Sequence, residues 1–393
     1  MPERPNGGVR PWRLEVDDAV LADLRERLKR TRLPDAIIAD AGWAYGAEPS
    51  YLRRLLDYWL DGYDWRAAEA AINRLPHFMA DVDGLDLHFV HQRGKGPRPL
   101  PLLISHGWPG SFYEMMDVIG LLSDPAAHGG DPADAFDVVV PSLPGYGFSQ
   151  HSHAAGMTAR RIGDLFAKLM TGTLGYSRFG VQGGDWGSVI TSGMAFGHPA
   201  NVVGLHVNMI GVRPFVGEGT PPLSAQEKAF LDAAAAWRVE EAGYQEIQGT
   251  RPQTLAFALT DSPAGLAAWI GEKFRVWSDC GGDVERRFTK DQLLTNIMIY
   301  WLTGSIGTSM QLYYEQRHSP WRLNAGERIA VPTAYAAFPG EPIAREAPRS
   351  WLERAANVQR WTEMPRGGHF AAMEEPQLLV DDIRAFFRPL RSL

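Results

Sequence analysis

The 393-residue sequence predicts an α/β fold, in which a mostly parallel sheet is covered by helices on both faces. Apolar runs at 101–104, 137–140 and 202–207 alternate with segments of helical pattern, as expected of buried parallel strands. After the third run, about a hundred residues show only helical patterns before strand-like runs return. This interruption indicates a helical segment inserted into the sheet domain.

The N-terminal segment, residues 1–75, is predicted to be a helical extension. Helical character runs from residue 9 to residue 73, and the patterns over 20–28 and 51–60 are amphipathic. We therefore expect these helices to bury one face against the rest of the chain.

The first part of the sheet domain is assigned to residues 76–212. From Phe78 the hydrophobic period changes to two, and Asp83-Gly84 lies between two alternating runs as the turn of a hairpin. The three buried strands of the parallel sheet follow this hairpin.

Residues 213–325 are predicted to form a helical lid. Its helices are expected to begin at three capping signals: Ser224 with Glu227, Ser262 before Pro263, and Thr289 with Gln292. Because no strand pattern interrupts these helices, the segment is expected to lie outside the sheet.

The second part of the sheet domain is assigned to residues 326–393. Strand-like runs return at 331–336 and 358–361, and a closing helix is predicted over 376–387. The two parts of the domain are expected to form one sheet on either side of the lid.

Composition excludes several function classes. The chain is 45% hydrophobic and 22% charged with a formal charge of −7, which is typical of a soluble globular protein and gives no basic footprint for nucleic acid or anionic lipid. The single cysteine, Cys280, leaves no intrachain disulfide or thiolate metal site. Residues 1–8 lack an apolar signal core, so we expect a cytoplasmic protein without a membrane anchor. A homo-oligomer is compatible with the sequence.

The most informative motif is Gly183-Gly184-Asp185-Trp186-Gly187, which has the spacing of a nucleophile elbow with aspartate in place of serine. A carboxylate is already an anion at neutral pH, and its attack on an electrophilic sp³ carbon gives an alkyl ester that water can hydrolyse. Asp185 is therefore the predicted nucleophile. The alternative is that Asp185 only caps the following helix.

The block from His106 to Ser111 closes a predicted strand, so its backbone should lie at the same sheet edge as Asp185. The backbone amides of Trp108 and Trp186 are the predicted oxyanion hole. His106 is expected to brace this loop. The alternative for the loop is a glycine and proline turn with a core tryptophan.

Gly367-Gly368-His369 follows the last predicted strand, and His369 is the predicted general base. The acid that orients it should follow the preceding strand, where Glu341 lies 28 residues before the histidine and Glu346 is the nearby rival. The order nucleophile, acid, histidine is that of α/β-hydrolases.

Over essentially its full length, the chain resembles the epoxide hydrolases of the microsomal type. The resemblance rests on 75–78, 106–111, 183–188, 261–269, 293–296 and 367–372. It implies two lid tyrosines that donate to the epoxide oxygen, matching Tyr244 and Tyr313, with Tyr314 as an alternative to Tyr313. Mammalian microsomal members carry an N-terminal membrane anchor, and none is expected here.

The predicted reaction is therefore the conversion of a small-molecule epoxide and water to a vicinal diol, without metal or cofactor. A haloalkane dehalogenase shares the aspartyl ester chemistry and is the nearest rival, and a catalytically silent hydrolase fold that only binds is a second. Trp269 and Trp301 are candidates for the substrate pocket. Detoxification of aromatic epoxides and a step of antibiotic biosynthesis both fit this chemistry.

Overall fold

A computed structural model describes residues 8–342 and 346–392. The predicted α/β fold is confirmed, because the strands form one nine-stranded sheet with helices packed against it. The strands are β1 (Arg10–Trp12), β2 (His77–Val82), β3 (Leu85–Gln92), β4 (Leu100–Ser105), β5 (Phe136–Pro141), β6 (Phe179–Gly183), β7 (Val202–Val207), β8 (Ile329–Ala337) and β9 (Ala356–Glu363).

The strand order is β1-β2-β3-β5-β4-β6-β7-β8-β9. Strands β1, β2, β3 and β5 pair antiparallel, and all pairs from β5 to β9 are parallel. Every residue of β5, β6 and β7 is buried. This burial explains why β5 and β7 are read as continuous apolar runs in the sequence.

The helices outside the segment between β7 and β8 are α1 (Asp18–Lys29), α2 (Pro49–Asp61), α3 (Trp65–Ile72), α4 (Met116–Ser123), α5 (Ala159–Lys168) and α6 (Asp185–Gly197). Seven helices lie between β7 and β8: α7 (Ala225–Glu241), α8 (Gly243–Thr250), α9 (Pro252–Asp261), α10 (Pro263–Trp277), α11 (Lys290–Thr303), α12 (Ile306–Ser309) and α13 (Gln311–His318). The last three are α14 (Arg349–Glu353), α15 (Ala371–Glu374) and α16 (Pro376–Phe387).

The N-terminal segment is not wholly helical, and the prediction is wrong at its start. Arg10–Trp12 forms the edge strand β1, whose residues pair with Met79, Phe78 and His77 of β2. Three residues are too few for a two-residue period to be recognised, and the pairing partner lies more than sixty residues away.

The three capping signals of the inserted segment are confirmed. Ser224 and Thr289 form reciprocal capping boxes with Glu227 and Gln292, and the Ser262 side chain accepts from the Gly265 amide at the start of α10. Among the described residues, no helix combines the length and the apolar character that a membrane crossing requires.

The N-terminal helices bind the inserted helices directly. The Arg27 guanidinium of α1 lies 2.7 Å from the Asp261 carboxylate of α9, and the Tyr58 hydroxyl of α2 donates to Asp291 of α11 at 2.8 Å. The Tyr63 and Thr295 hydroxyls are 3.0 Å apart. The N-terminal segment therefore contacts both the sheet, through its edge strand β1, and the inserted helices.

Candidate active site

Four loops that follow parallel strands meet at one edge of the sheet. They follow β4, β6, β8 and β9, and they carry Trp108, Asp185, Glu341 and His369 respectively. The carboxyl ends of parallel strands are the usual place for a site in such folds, because the loops converge there. The position of these four residues directly after parallel strands is therefore enough to bring them to one edge of the sheet.

Asp185 occupies a sharp turn between β6 and α6. Its φ is +48°, a conformation that L-residues rarely adopt. The turn is crowded, since a Cβ on Gly183 would lie 2.3 Å from the Gly187 carbonyl oxygen and a Cβ on Gly187 would lie 1.9 Å from that of Ser105. Glycine at both positions therefore lets the turn close against the end of β4.

The backbone amide of Trp108 donates to Asp185 Oδ1 at 2.7 Å. A Cβ on the preceding Gly107 would lie 2.1 Å from the same oxygen, so the loop approaches the carboxylate as closely as glycine permits. Trp186, the other residue predicted to supply an amide, lies in the first turn of α6. The loop thus places a fixed N–H donor on the carboxyl group of Asp185.

Helix α11 holds this loop in place. The side chain of Asn296 donates to the Pro109 carbonyl at 2.8 Å and accepts from the Ser111 hydroxyl at 2.9 Å, and the Tyr300 hydroxyl donates to the Gly110 carbonyl at 2.7 Å. His106 braces the loop as expected, because its Nε2 accepts from the Leu143 amide.

His369 lies between two carboxylates. Its Nε2 is 3.4 Å from Asp185 Oδ2, and its Nδ1 is 2.7 Å from Glu341 Oε2. Burial by itself would lower the pKa of His369, but the Glu341 and Asp185 carboxylates outweigh it and raise the pKa well above its usual value. Glu346, the rival acid, is exposed in a turn. The structure therefore brings Glu341, and not Glu346, to the histidine.

Tyr244 of α8 and Tyr313 of α13 are buried, with ring centroids 5.9 Å apart. Tyr244 stacks on Trp108 at 5.3 Å, and Tyr313 packs edge-on against Trp186 at 4.8 Å. Burial, reinforced by the Asp185 carboxylate, raises the pKa of Tyr244 far above its usual value. Both rings thus pack against tryptophans beside Asp185, and Tyr244 remains a hydrogen-bond donor at neutral pH.

The alternative residue Tyr314 points away from this cluster. It is 40% exposed and stacks on His318 at a ring-centroid distance of 4.0 Å. Of the two adjacent tyrosines, the structure brings only Tyr313 to Trp108 and Trp186.

Neither candidate pocket tryptophan lines the cavity beside Asp185. The Trp269 indole donates to Gln248 Oε1 at 3.0 Å, and the Trp301 ring lies 5.8 Å from the Arg27 guanidinium carbon of α1. Tyr244 and Tyr313 do not line this small cavity either, so the pocket role of Trp269 and Trp301 stays a prediction.

One carboxyl group at the site was not singled out from the sequence. Glu114 lines a cavity of about 20 Å³ together with Asp185 and His369, and burial raises its pKa to about 8. The only feature of the sequence that points to Glu114 is its position shortly after the 106–111 block. A single glutamate in a helical turn forms no motif, so the sequence does not predict a role for it. Among the described residues, no group of three or more His, Cys, Asp or Glu side chains could hold a metal ion.

Two sequence families match this chain. The family described as "Epoxide hydrolase N terminus" matches residues 9–115, and the family described as "alpha/beta hydrolase fold" matches residues 101–376. The first match covers the N-terminal segment and the 106–111 loop, and the second covers Asp185, Glu341 and His369.

The similarity to known proteins extends over nearly the whole chain. Epoxide hydrolase 1 of Sus scrofa is 39% identical over 96% of this chain and 88% of its own length. The juvenile hormone epoxide hydrolase of the silkworm Bombyx mori superimposes with a TM-score of 0.88 at 32% identity, covering 98% of this chain and 96% of that one. The Aspergillus niger epoxide hydrolase gives 0.83 at 29% identity, covering 97% and 96%. The chain therefore belongs to the microsomal-type epoxide hydrolase family, with an α/β-hydrolase fold.

Proposed function

We propose that this chain converts an epoxide and water to a vicinal diol through a covalent ester on Asp185. The observation that carries the proposal is the placement of the Asp185 carboxylate, held by the Trp108 amide at 2.7 Å and facing His369 Nε2 at 3.4 Å. An anion fixed on a turn beside a base that is itself oriented by Glu341 is the arrangement required for nucleophilic catalysis in two steps. Tyr244 and Tyr313 adjoin the Trp108 ring, on the side of the inserted helices.

In the first step, a carboxylate oxygen of Asp185 forms a bond to one epoxide carbon as the bond from that carbon to the epoxide oxygen breaks. The leaving oxygen remains attached to the substrate and takes a proton from Tyr244 or Tyr313. The high pKa of Tyr244 keeps its phenol protonated in the resting site. The two hydroxyls therefore offer donors to the charge that develops during ring opening.

In the second step, His369 takes a proton from water while the water oxygen attacks the carbonyl carbon of the Asp185 ester. Ester formation removes the Asp185 charge, one of the two charges that raise the pKa of His369, so the imidazole loses its proton more readily at this stage. The Trp108 and Trp186 amides stabilise the tetrahedral oxyanion. Collapse of this intermediate breaks the bond between the acyl carbon and the substrate oxygen, which takes the proton held by His369 as the diol leaves. The proton of the new carboxyl group returns to the tyrosinate, so that Asp185 is again a carboxylate.

The segments of the chain divide this work. We propose residues 1–75 as the extension, 76–212 and 326–393 as the hydrolase core, and 213–325 as the lid that supplies both tyrosines. Detoxification of aromatic epoxides or a biosynthetic step, as in an antibiotic pathway, would use the same chemistry. A comparison of kcat/KM for styrene oxide and for aliphatic epoxides tests the first of these roles.

A single turnover in heavy-oxygen water tests the covalent mechanism. With enzyme in excess, water attacks the Asp185 carbonyl, so the first diol takes its oxygen from the carboxylate and the solvent oxygen stays in the protein. We expect unlabelled diol and a labelled peptide containing Asp185 by mass spectrometry. Labelled diol with an unlabelled peptide would instead mean that Asp185 only activates water, and the covalent proposal would be wrong.

A further inference from the structure

Glu114 is a carboxyl group at the site that the steps above do not use. It lies in the 3₁₀ turn Phe112–Met115, directly after the loop that carries Trp108. Part of its surface remains uncovered, and the residue lines the cavity that Asp185 and His369 also line. Glu114 therefore borders the same cavity as the two residues of the second step.

The loop makes room for this carboxyl group. A Cβ built on Gly110 would lie 1.4 Å from Glu114 Oε1, so the carboxyl group occupies the space that a side chain at 110 would take. Gly110 is itself fixed, because its carbonyl accepts from the Tyr300 hydroxyl at 2.7 Å. The position of Glu114 is thus built into the same loop that carries the oxyanion donor.

The raised pKa of Glu114 shows that this carboxyl group is not held in a structural ion pair. Burial raises its pKa to about 8, the His369 cation partly opposes this, and the Asp185 carboxylate adds to it. No lysine or arginine forms an ion pair with it within 8–342 and 346–392. A carboxyl group buried beside another carboxylate, without a lysine or arginine partner, costs stability, and such groups concentrate at functional sites.

The cavity has the size of one water molecule. Its volume is about 20 Å³, and a cavity above roughly 10–15 Å³ with two or more polar partners can hold a water. Here the polar side chains of Glu114, Asp185 and His369 all border it. A water in this space would be within reach of both the base and the ester carbonyl.

We propose that Glu114 is a further catalytic residue, which holds the water that hydrolyses the Asp185 ester. The water donates one hydrogen to His369 Nε2 and the other to a carboxyl oxygen of Glu114, which leaves its lone pair directed at the Asp185 carbonyl carbon. Glu114 does not exchange a proton in this step and acts by fixing the direction of attack. This inference rests on the proposed function.

The test compares formation and loss of the ester in Glu114→Met, which keeps a side chain of similar length but removes the oxygen that accepts from the water. Rapid mixing with styrene oxide, acid quench and intact-mass spectrometry follow the Asp185 adduct with time. We expect the adduct to form within threefold of the wild-type rate and to decay at least tenfold more slowly, so that it accumulates. Decay at the wild-type rate, or equal slowing of formation and decay, would overturn the role of Glu114.

Two further variants sharpen the test. Gly110→Ala retains Glu114 but places a methyl group where its carboxyl oxygen lies, and we expect the same slow decay; normal decay would overturn the inference. Asp117→Asn, an exposed carboxylate three residues away, is the matched control and should leave both rates unchanged. If wild-type enzyme and a His369→Gln variant form no adduct at all, the covalent mechanism itself fails, which is a different result from normal decay in Glu114→Met.

Discussion

His369 contacts one carboxylate through each ring nitrogen, at 2.7 Å for Glu341 and 3.4 Å for Asp185. In the proposed mechanism the two have different tasks, because Glu341 fixes the ring whereas Asp185 is converted to an ester. Since only the attack of water requires removal of a proton, the base is needed in one step of the two.

Replacement of His369 by glutamine should separate these two steps. We expect ester formation to continue and ester hydrolysis to slow by roughly a hundredfold or more, because the general base is lost. Intact-mass spectra should show the mass of the substrate added to the peptide that bears Asp185. An unmodified variant that still binds substrate would contradict the role of His369.

The two buried tyrosines should share activation of the epoxide oxygen. Tyr244→Phe and Tyr313→Phe should each slow ester formation roughly tenfold, and the double variant should nearly abolish it. Pre-steady-state measurement of adduct formation is the readout. Tyr314→Phe is the control, because this residue is 40% exposed and stacks on His318. Wild-type ester formation in the double variant would mean that both tyrosines are structural.

At the scale of elements, the strand-turn-helix unit of β6 and α6 depends on close approach of backbone to backbone. Gly187→Ala would place its Cβ 1.9 Å from the Ser105 carbonyl oxygen, which neither β4 nor α6 can avoid without moving. We expect a loss of about 1–3 kcal/mol in the free energy of unfolding, measured by urea denaturation.

The matched control for this variant lies in another helix. A Cβ on Gly271 of α10 has no neighbour within 4 Å, so Gly271→Ala should leave the free energy of unfolding unchanged or raise it by about 0.5–1 kcal/mol. If Gly187→Ala were as stable as Gly271→Ala, the crowded turn would not be a constraint on the fold.

Asp382 connects the closing helix α16 to two strands. Its carboxylate lies 3.0 Å from His206 Nε2 of β7, and it accepts from Arg360 and Thr362 of β9 at 2.7 Å each. Burial would raise the pKa of Asp382, but these donors outweigh it and lower the pKa to about 2. A pKa below the unfolded value means that the carboxylate stabilises the fold at neutral pH and ceases to do so as acid protonates it.

Asp382→Asn should therefore reduce stability in a pH-dependent way. At pH 7 we expect a loss of about 2 kcal/mol in the free energy of unfolding, and this loss should shrink as the pH falls through about 4 toward 2. Urea denaturation from pH 7 to pH 3 measures it. Asp381→Asn, at an exposed neighbouring carboxylate, is the control. A gap between Asp382→Asn and wild type that stays constant over this range would contradict the linkage.

For the molecule as a whole, the sequence predicts best what is determined by neighbouring residues. The helix starts at Ser224, Ser262 and Thr289 follow from caps within one turn, and the predicted closing helix coincides with Pro376–Phe387. The elbow at Asp185 is equally local, because the glycines on either side of it permit a sharp turn.

The features that sequence reasoning missed depend on distant partners. Strand β1 exists only through its pairing with β2, and the unusual character of Glu114 arises from burial beside Asp185 and His369. The difference between Tyr313 and Tyr314 is set by which side of α13 faces Trp186. None of these three features can be predicted from a short stretch of sequence.

The contacts between the N-terminal helices and the inserted helices have a consequence for biosynthesis. Arg27 and Asp261 are 234 residues apart in the chain, so at a translation rate of about 5–20 residues per second the partner is made roughly 10–50 s after Arg27. Helices α1 and α2 thus leave the ribosome before the inserted helices against which they dock. During that interval the nascent chain exposes the apolar faces of these helices. Chaperones that bind apolar surfaces would therefore bind this chain mainly before the inserted helices have been made.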